Sequence, residues 1–100
     1  MYTQNIIIDN EQLAKICHRY NIRRLALFGS ALRDDFSDES DVDMLVEFEP
    51  GKTPGFKFIT LEEELSRLVG RTVDLVTFKA LNRHLRNDVL NQAEECFAQG

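Results

Sequence analysis

One hundred residues are enough for one domain with a single core, and not for a second domain to hold a template or a tRNA. At 43% hydrophobic and 29% charged, the composition is ordinary for a water-soluble globular chain, and no apolar run approaches the roughly 20 residues that a membrane span requires. The net charge of -5 argues against a sequence-independent binder of nucleic-acid backbone, which needs a basic face.

The opening MYTQNIIIDN has no basic leader and no small-residue cleavage site, so no signal peptide is expected and the chain reads as cytoplasmic. Ile6-Ile7-Ile8 is either a short edge strand or an apolar lead-in to a helix. Asp9 is placed to cap that helix, with Gln12 three residues on. Leu13, Ile16, Cys17 and Tyr20 keep the i, i+3, i+4, i+7 spacing, which predicts a helix over 10–20 ended by Asn21. Arg24 to Phe28 reads as a strand, apolar enough at its end to be buried on both faces.

Gly29-Ser30 stands where that strand stops. Gly permits a tight turn and a close approach of backbone to ligand, and Ser30 can cap a short helix over 30–34. Alone, the pair is an ordinary strand-to-helix turn; beside carboxylates and a metal it becomes a phosphate cradle. Residues 34–40, DDFSDES, form an acidic loop. From Asp41 to Phe48 the chain alternates, with Val42, Met44, Val46 and Phe48 on one side and Asp41, Asp43, Leu45 and Glu47 on the other. Two carboxylates one pleat apart at the mouth of a buried strand need compensation. Mg²⁺, which takes hard oxygen ligands, is the simplest candidate. A calcium loop of the EF-hand type fails, because Leu45 and Val46 stand where it needs an acidic residue and Gly.

Residues 49–56, EPGKTPGF, are a surface loop. Gly51-Lys52-Thr53 imitates the end of a Walker A motif, but Val46 occupies the position of its first Gly. Thr53-Pro54 is the expected start of a helix, as cap and first residue. Phe58, Leu61, Leu65, Leu68 and Val69 form its buried stripe, Gly70 ends it, and Glu62-Glu63-Glu64 covers its solvent face. Arg71 to Phe78 predicts a third strand holding Asp74, an isolated charge that is rare in a buried strand unless paired or metal-bound. A last helix is expected from Lys79 to about Ala98, with Leu81, Leu85, Val89, Ala93, Cys96 and Phe97 inward and His84 and Arg86 near its start. Cys17 and Cys96 each lie on the apolar side of a helical pattern and read as reduced, buried thiols. With His18 and His84 they make no zinc pattern.

A Gly-Ser turn and three strand carboxylates are the parts of a site for phosphoryl or nucleotidyl transfer. The spacing of Gly29-Ser30, ten residues, then Asp41-Val42-Asp43 resembles the signature of the polymerase-beta-like nucleotidyltransferase superfamily. More narrowly, GSALR, SDVDMLVEFEPGKTPGF, LEEEL and GRTVDLVTFKAL resemble the minimal nucleotidyltransferases (MNT proteins) of the antitoxin kind, over about Ile22 to Ala93. The resemblance implies that Asp41 and Asp43 bind two Mg²⁺ ions and that Asp74 completes the metal site as the base. It implies that Gly29 and Ser30 hold the triphosphate of ATP. Arg33 matches the family's Gly-Ser-x-x-Arg, whereas Asp34 stands where members commonly have Gly; Asp tolerates a left-handed backbone better than most residues, so the turn is expected to survive. The implied partner is a HEPN-domain toxin, silenced by AMP placed on a tyrosine, with no nucleic acid and no membrane; a homo-oligomer stays open. Two alternatives compete. One is an antitoxin that acts by binding alone, against which the full set of carboxylates speaks. The other is a nucleotidyltransferase for a small-molecule acceptor, against which the lack of an acceptor domain speaks. The expected architecture is α+β, a small mixed sheet of three to four strands with helices on one face and the carboxylates on the other, the nucleotidyltransferase fold.

Overall fold

A computed structural model describes residues 5–34, 36, 37, 39–81 and 83–99, with backbone alone at 30 and 83–85. Ile6 and Ile8 are buried and Ile7 between them is exposed, an apolar lead-in with a single bridge at Ile7. Helix α1 spans Asn10–Arg19, and the Asp9 carboxylate caps it by accepting from the N–H groups of Glu11 (2.9 Å) and Gln12 (3.1 Å). Asn21, at φ +58°, turns the chain into strand β1, Ile22–Phe28. A 3-10 turn over Gly29–Leu32 follows, then the acidic loop and strand β2, Val42–Phe48.

Helix α2 spans Lys57–Val69 and ends at Gly70, at φ +78°. It starts later than Thr53-Pro54 predicts. The Lys57 and Phe58 N–H groups bond to the Pro54 and Gly55 carbonyls in a turn, and among the described residues no side chain caps the helix. Strand β3 is Val73–Thr77, shorter at both ends than 71–78. Phe78–Ala80 is a separate 3-10 turn, where Thr77 Oγ1 accepts from Ala80 N–H (3.2 Å).

The largest departure is at the far end of the chain. Helix α3 covers Arg83–Gln92 and stops, and Glu94–Ala98 is strand β4, paired antiparallel with β1. Val89, Ala93, Cys96 and Phe97 do keep helical spacing. Yet β1 would otherwise present a row of bare N–H and C=O groups along its outer edge, and pairing them outweighs a weak local preference. Phe97 faces Leu25 and Glu95 faces Ala26, so Cys96 is an extra, bulged residue.

The sheet order is β3-β2-β1-β4, with β2 and β3 parallel and the other pairs antiparallel. The β2–α2–β3 crossover is what makes that pair parallel. On one face Leu25, Leu27, Val42, Met44, Val46, Val73 and Leu75 meet Leu13, Ile16 and Cys17 of α1 and Leu61 and Leu65 of α2 as the core. This is the expected α+β sheet, with α1 and α2 on one face and the Asp43 and Asp74 carboxylates on the other. Over the far end of the carboxylate face, Leu90 of α3 joins Arg24, Ala26, Leu45, Phe78, Ala93 and Glu95 around an open cleft.

Candidate active site

The register of the parallel pair brings the acidic residues together. Asp43 lies directly opposite Asp74, flanked by the pairs Val42–Val73 and Met44–Leu75. Paired residues project to the same face, and Asp41 stands just outside β2, two residues before Asp43. Val42 N–H donates to the Thr72 carbonyl at 2.8 Å, which fixes the mouth of the pair next to Asp41. Asp43 is half-buried, while Asp41 and Asp74 are exposed. Asp74 therefore does not carry the burial cost that its apolar neighbours suggest, because β3 is an edge strand and this end of the face is open.

The three carboxylates share one end of the sheet without closing on one another. Among the described residues, no three acidic, Cys or His side chains converge into a ready metal-binding group. Their chemistry still suits Mg²⁺, since all are oxygen donors, Asp43 and Asp74 on directly hydrogen-bonded strands and Asp41 immediately before β2.

Gly29 closes the site from the end of β1. It sits at φ +71°, and a Cβ built on it would fall 2.4 Å from Asp43 Oδ2. Phe28 faces Asp43 in the β1–β2 register, so the turn after Phe28 wraps directly over that carboxylate. Ser30 follows in the 3-10 turn, with only its backbone described. Arg33 is exposed just beyond. Asp34 does not take up a left-handed backbone; among the described residues, Asn21 is the one non-glycine residue with positive φ.

Four residues outside the predicted set hold this site. Asn5 Nδ2 donates to the carbonyls of Ala31 (2.8 Å) and Arg33 (3.0 Å), tying down the end of the Gly29–Leu32 turn. Arg71 donates to the Ser37 carbonyl (3.1 Å) and lies over the Phe36 ring at 4.6 Å, which pins the acidic loop to the start of β3. Glu62 Oε2 accepts from Leu75 N–H (2.9 Å), and Ser66 Oγ accepts from Val73 N–H (2.9 Å). Glu62 and Glu64 are thus not part of a solvent face. Glu64 accepts from Arg19 at 2.6 Å and from the Tyr20 hydroxyl, linking α2 to α1, and Glu63 alone of the three is exposed. His84, expected near the start of the last helix, lies outside the described side chains.

Known proteins share this fold. The profile of the family described as Polymerase beta, Nucleotidyltransferase matches residues 11–99. Protein adenylyltransferase MntA of Thermococcus cleftensis is 41% identical over 75 residues, 74% of this chain and 74% of that protein. A solved structure provisionally identified as a minimal nucleotidyltransferase superposes with a TM-score of 0.72 at 35% identity, over 85% of this chain and 86% of its own. A chain of the solved complex of a tri-AMPylated Shewanella oneidensis HEPN toxin with MNT antitoxin shares the fold, with a TM-score of 0.61 at 20% identity, over 90% of this chain and 70% of its own.

Proposed function

The chain belongs to the polymerase beta nucleotidyltransferase family, and from that premise we propose that it transfers AMP from ATP to a tyrosine of a partner HEPN toxin, as the antitoxin of the pair. The observation that carries this reading is the meeting of three parts. Asp43 is opposite Asp74, Asp41 stands just before β2, and the Gly29 backbone is so close to the Asp43 carboxylate that a side chain there would collide with it.

In this reading Asp41, Asp43 and Asp74 would hold two Mg²⁺ ions. Bound there, the ions would neutralise the triphosphate and stabilise the departing pyrophosphate. Gly29 and the N–H groups of the turn after it receive phosphate oxygens, with the Ser30 hydroxyl added. Asn5 keeps that turn in place. Asp74, exposed at the sheet edge, is open to an incoming acceptor and takes the proton of its hydroxyl. The oxygen then attacks the α-phosphorus, a new O–P bond forms, and the bond to pyrophosphate breaks. Arg33, exposed beyond the turn, would add positive charge for the triphosphate. A HEPN toxin as acceptor rests on the likeness to MntA of Thermococcus cleftensis and to the fold of the Shewanella oneidensis complex.

The test uses ATP labelled at the α- or the γ-phosphate, Mg²⁺, and a purified HEPN-domain protein as acceptor. Label from the α-phosphate should move to a tyrosine of the partner and label from the γ-phosphate should not. Transfer of the γ-phosphate would make the protein a kinase and sink the reading.

A further inference from the structure

β3 is five residues long and lies at the edge of the sheet, hydrogen-bonded to β2 on one side. In a parallel ladder the N–H and C=O of one residue point to the same neighbour, and successive residues alternate. The Asp74 backbone faces β2. The N–H groups of Val73 and Leu75 face outward, where a strand edge normally meets water or a foreign strand. Here both are taken by side chains of one helix. Ser66 Oγ accepts from Val73 N–H and Glu62 Oε2 from Leu75 N–H, each at 2.9 Å. Ser66 Oγ also donates to the Glu62 carbonyl at 2.8 Å, which leaves its lone pairs for Val73.

Glu62 and Ser66 are four residues apart, so they stand on one face of α2, and each is next to a fully buried Leu, Leu61 or Leu65. The helix is thereby locked, and both acceptors with it. The two bonds bracket the one acidic residue of β3. Glu62 holds the peptide unit that follows Asp74, Ser66 holds the one ahead of Val73, and the ladder with β2 holds the rest, so the Asp74 Cα–Cβ bond is fixed on the face it shares with Asp43. A neutral acceptor would satisfy the Leu75 amide; a half-buried carboxylate makes the stronger, charge-assisted bond.

We propose that Glu62 and Ser66 are positioning residues that hold Asp74 in register with Asp43 for cation binding. This rests on the reading of Asp74 as a metal ligand. The alternative is a plain edge cover that keeps β3 from pairing with other chains, and it predicts no effect on the metal.

The probe is Mn²⁺, titrated into the protein in the presence of a non-hydrolysable ATP analogue and followed by the electron paramagnetic resonance of the free ion. Circular dichroism establishes that each variant is folded. Glu62→Ala should weaken Mn²⁺ binding about tenfold, and Glu62→Gln, whose amide oxygen still accepts, should stay within about threefold of the parent. Asp74→Asn should weaken binding by itself, and Glu62→Ala added to it should change little more, because the two act through one ligand. A folded Glu62→Ala protein that binds Mn²⁺ like the parent, or a double variant in which the two losses multiply, overturns the proposal. Asp74→Asn binding Mn²⁺ like the parent instead overturns the metal role of Asp74, a separate failure. If Glu62→Ala does not fold, Ser66→Ala takes its place, set against Ser66→Thr, which keeps the hydroxyl. Weakened Mn²⁺ binding in Ser66→Ala alone then supports the proposal, and parental binding in a folded Ser66→Ala overturns it.

Discussion

At Gly29 a hydrogen stands where any other residue would put a carbon against Asp43. Two costs follow from one substitution, and they are separable. A Cβ at φ +71° strains the backbone by about 1–2 kcal/mol. It also meets the tip of the Asp43 carboxylate, which can swing aside more cheaply than the backbone can move. Gly29→Ala is therefore expected to fold with a modestly lowered melting temperature and to lose Mn²⁺ binding and AMP transfer almost completely. Calorimetric melting and Mn²⁺ titration of the same preparation check this. Normal Mn²⁺ binding by Gly29→Ala would mean that Asp43 is not held where the turn covers it.

Among the elements, β4 is where the sequence misleads. Its residues fit a helical stripe, and nothing local in Glu94-Glu95-Cys96-Phe97-Ala98 says strand. The deciding fact is an unpaired edge about 70 residues earlier, which no short window contains. The elements with strong local signals came through. The Asp9 cap, the Gly70 stop and the alternation from Val42 to Phe48 each place their element within a few residues. The same division holds at the candidate site. Gly29, Asp41, Asp43 and Asp74 stand out as residue types and spacings, whereas Asn5, Glu62, Ser66 and Arg71 act through bonds to distant backbone, where ordinary polar residues leave no mark. Glu62 had one signal, its four-residue spacing from Ser66 beside the apolar stripe. Phe97 offers a test of β4 as a strand: its ring meets His18 edge-on at 5.5 Å, which ties β4 to α1. Phe97→Ala should cost about 2 kcal/mol, below the range for a fully buried Phe. Amide exchange should then quicken in β4 and along the adjoining edge of β1, and stay slow in β3. Unchanged exchange in β1 would contradict the pairing.

For the molecule as a whole, the thiols set an alkaline limit, Cys17 buried as expected and Cys96 only half-buried. Burial pushes Cys17 from the ordinary thiol value of 9.0 up to about 12, with the nearby Cys96 adding to it. Burial does the same for Cys96, also to about 12. Tyr20 is raised too, by burial first and then by its hydrogen bond to Glu64. In each case the unfolded chain releases its proton first, so stability is full below the unfolded values and falls as pH climbs from about 9 toward 12. Urea midpoints should drop over this range, and Cys17→Ala should make the drop shallower whatever it does to the midpoint at neutral pH. An equally steep drop in that variant would leave Cys17 out of the alkaline limit. The pairing of β1 with β4 carries a further consequence, in time rather than in space. The ribosome makes β1 early and Glu94–Ala98 some seventy residues later, so every nascent chain passes through an interval in which β1 has no partner on that side. During translation the half-made sheet is open to pairing with a neighbouring nascent chain on the same messenger. Slower elongation between the codons for β2 and β4 lengthens that interval, and it should raise the aggregated fraction without changing a single residue.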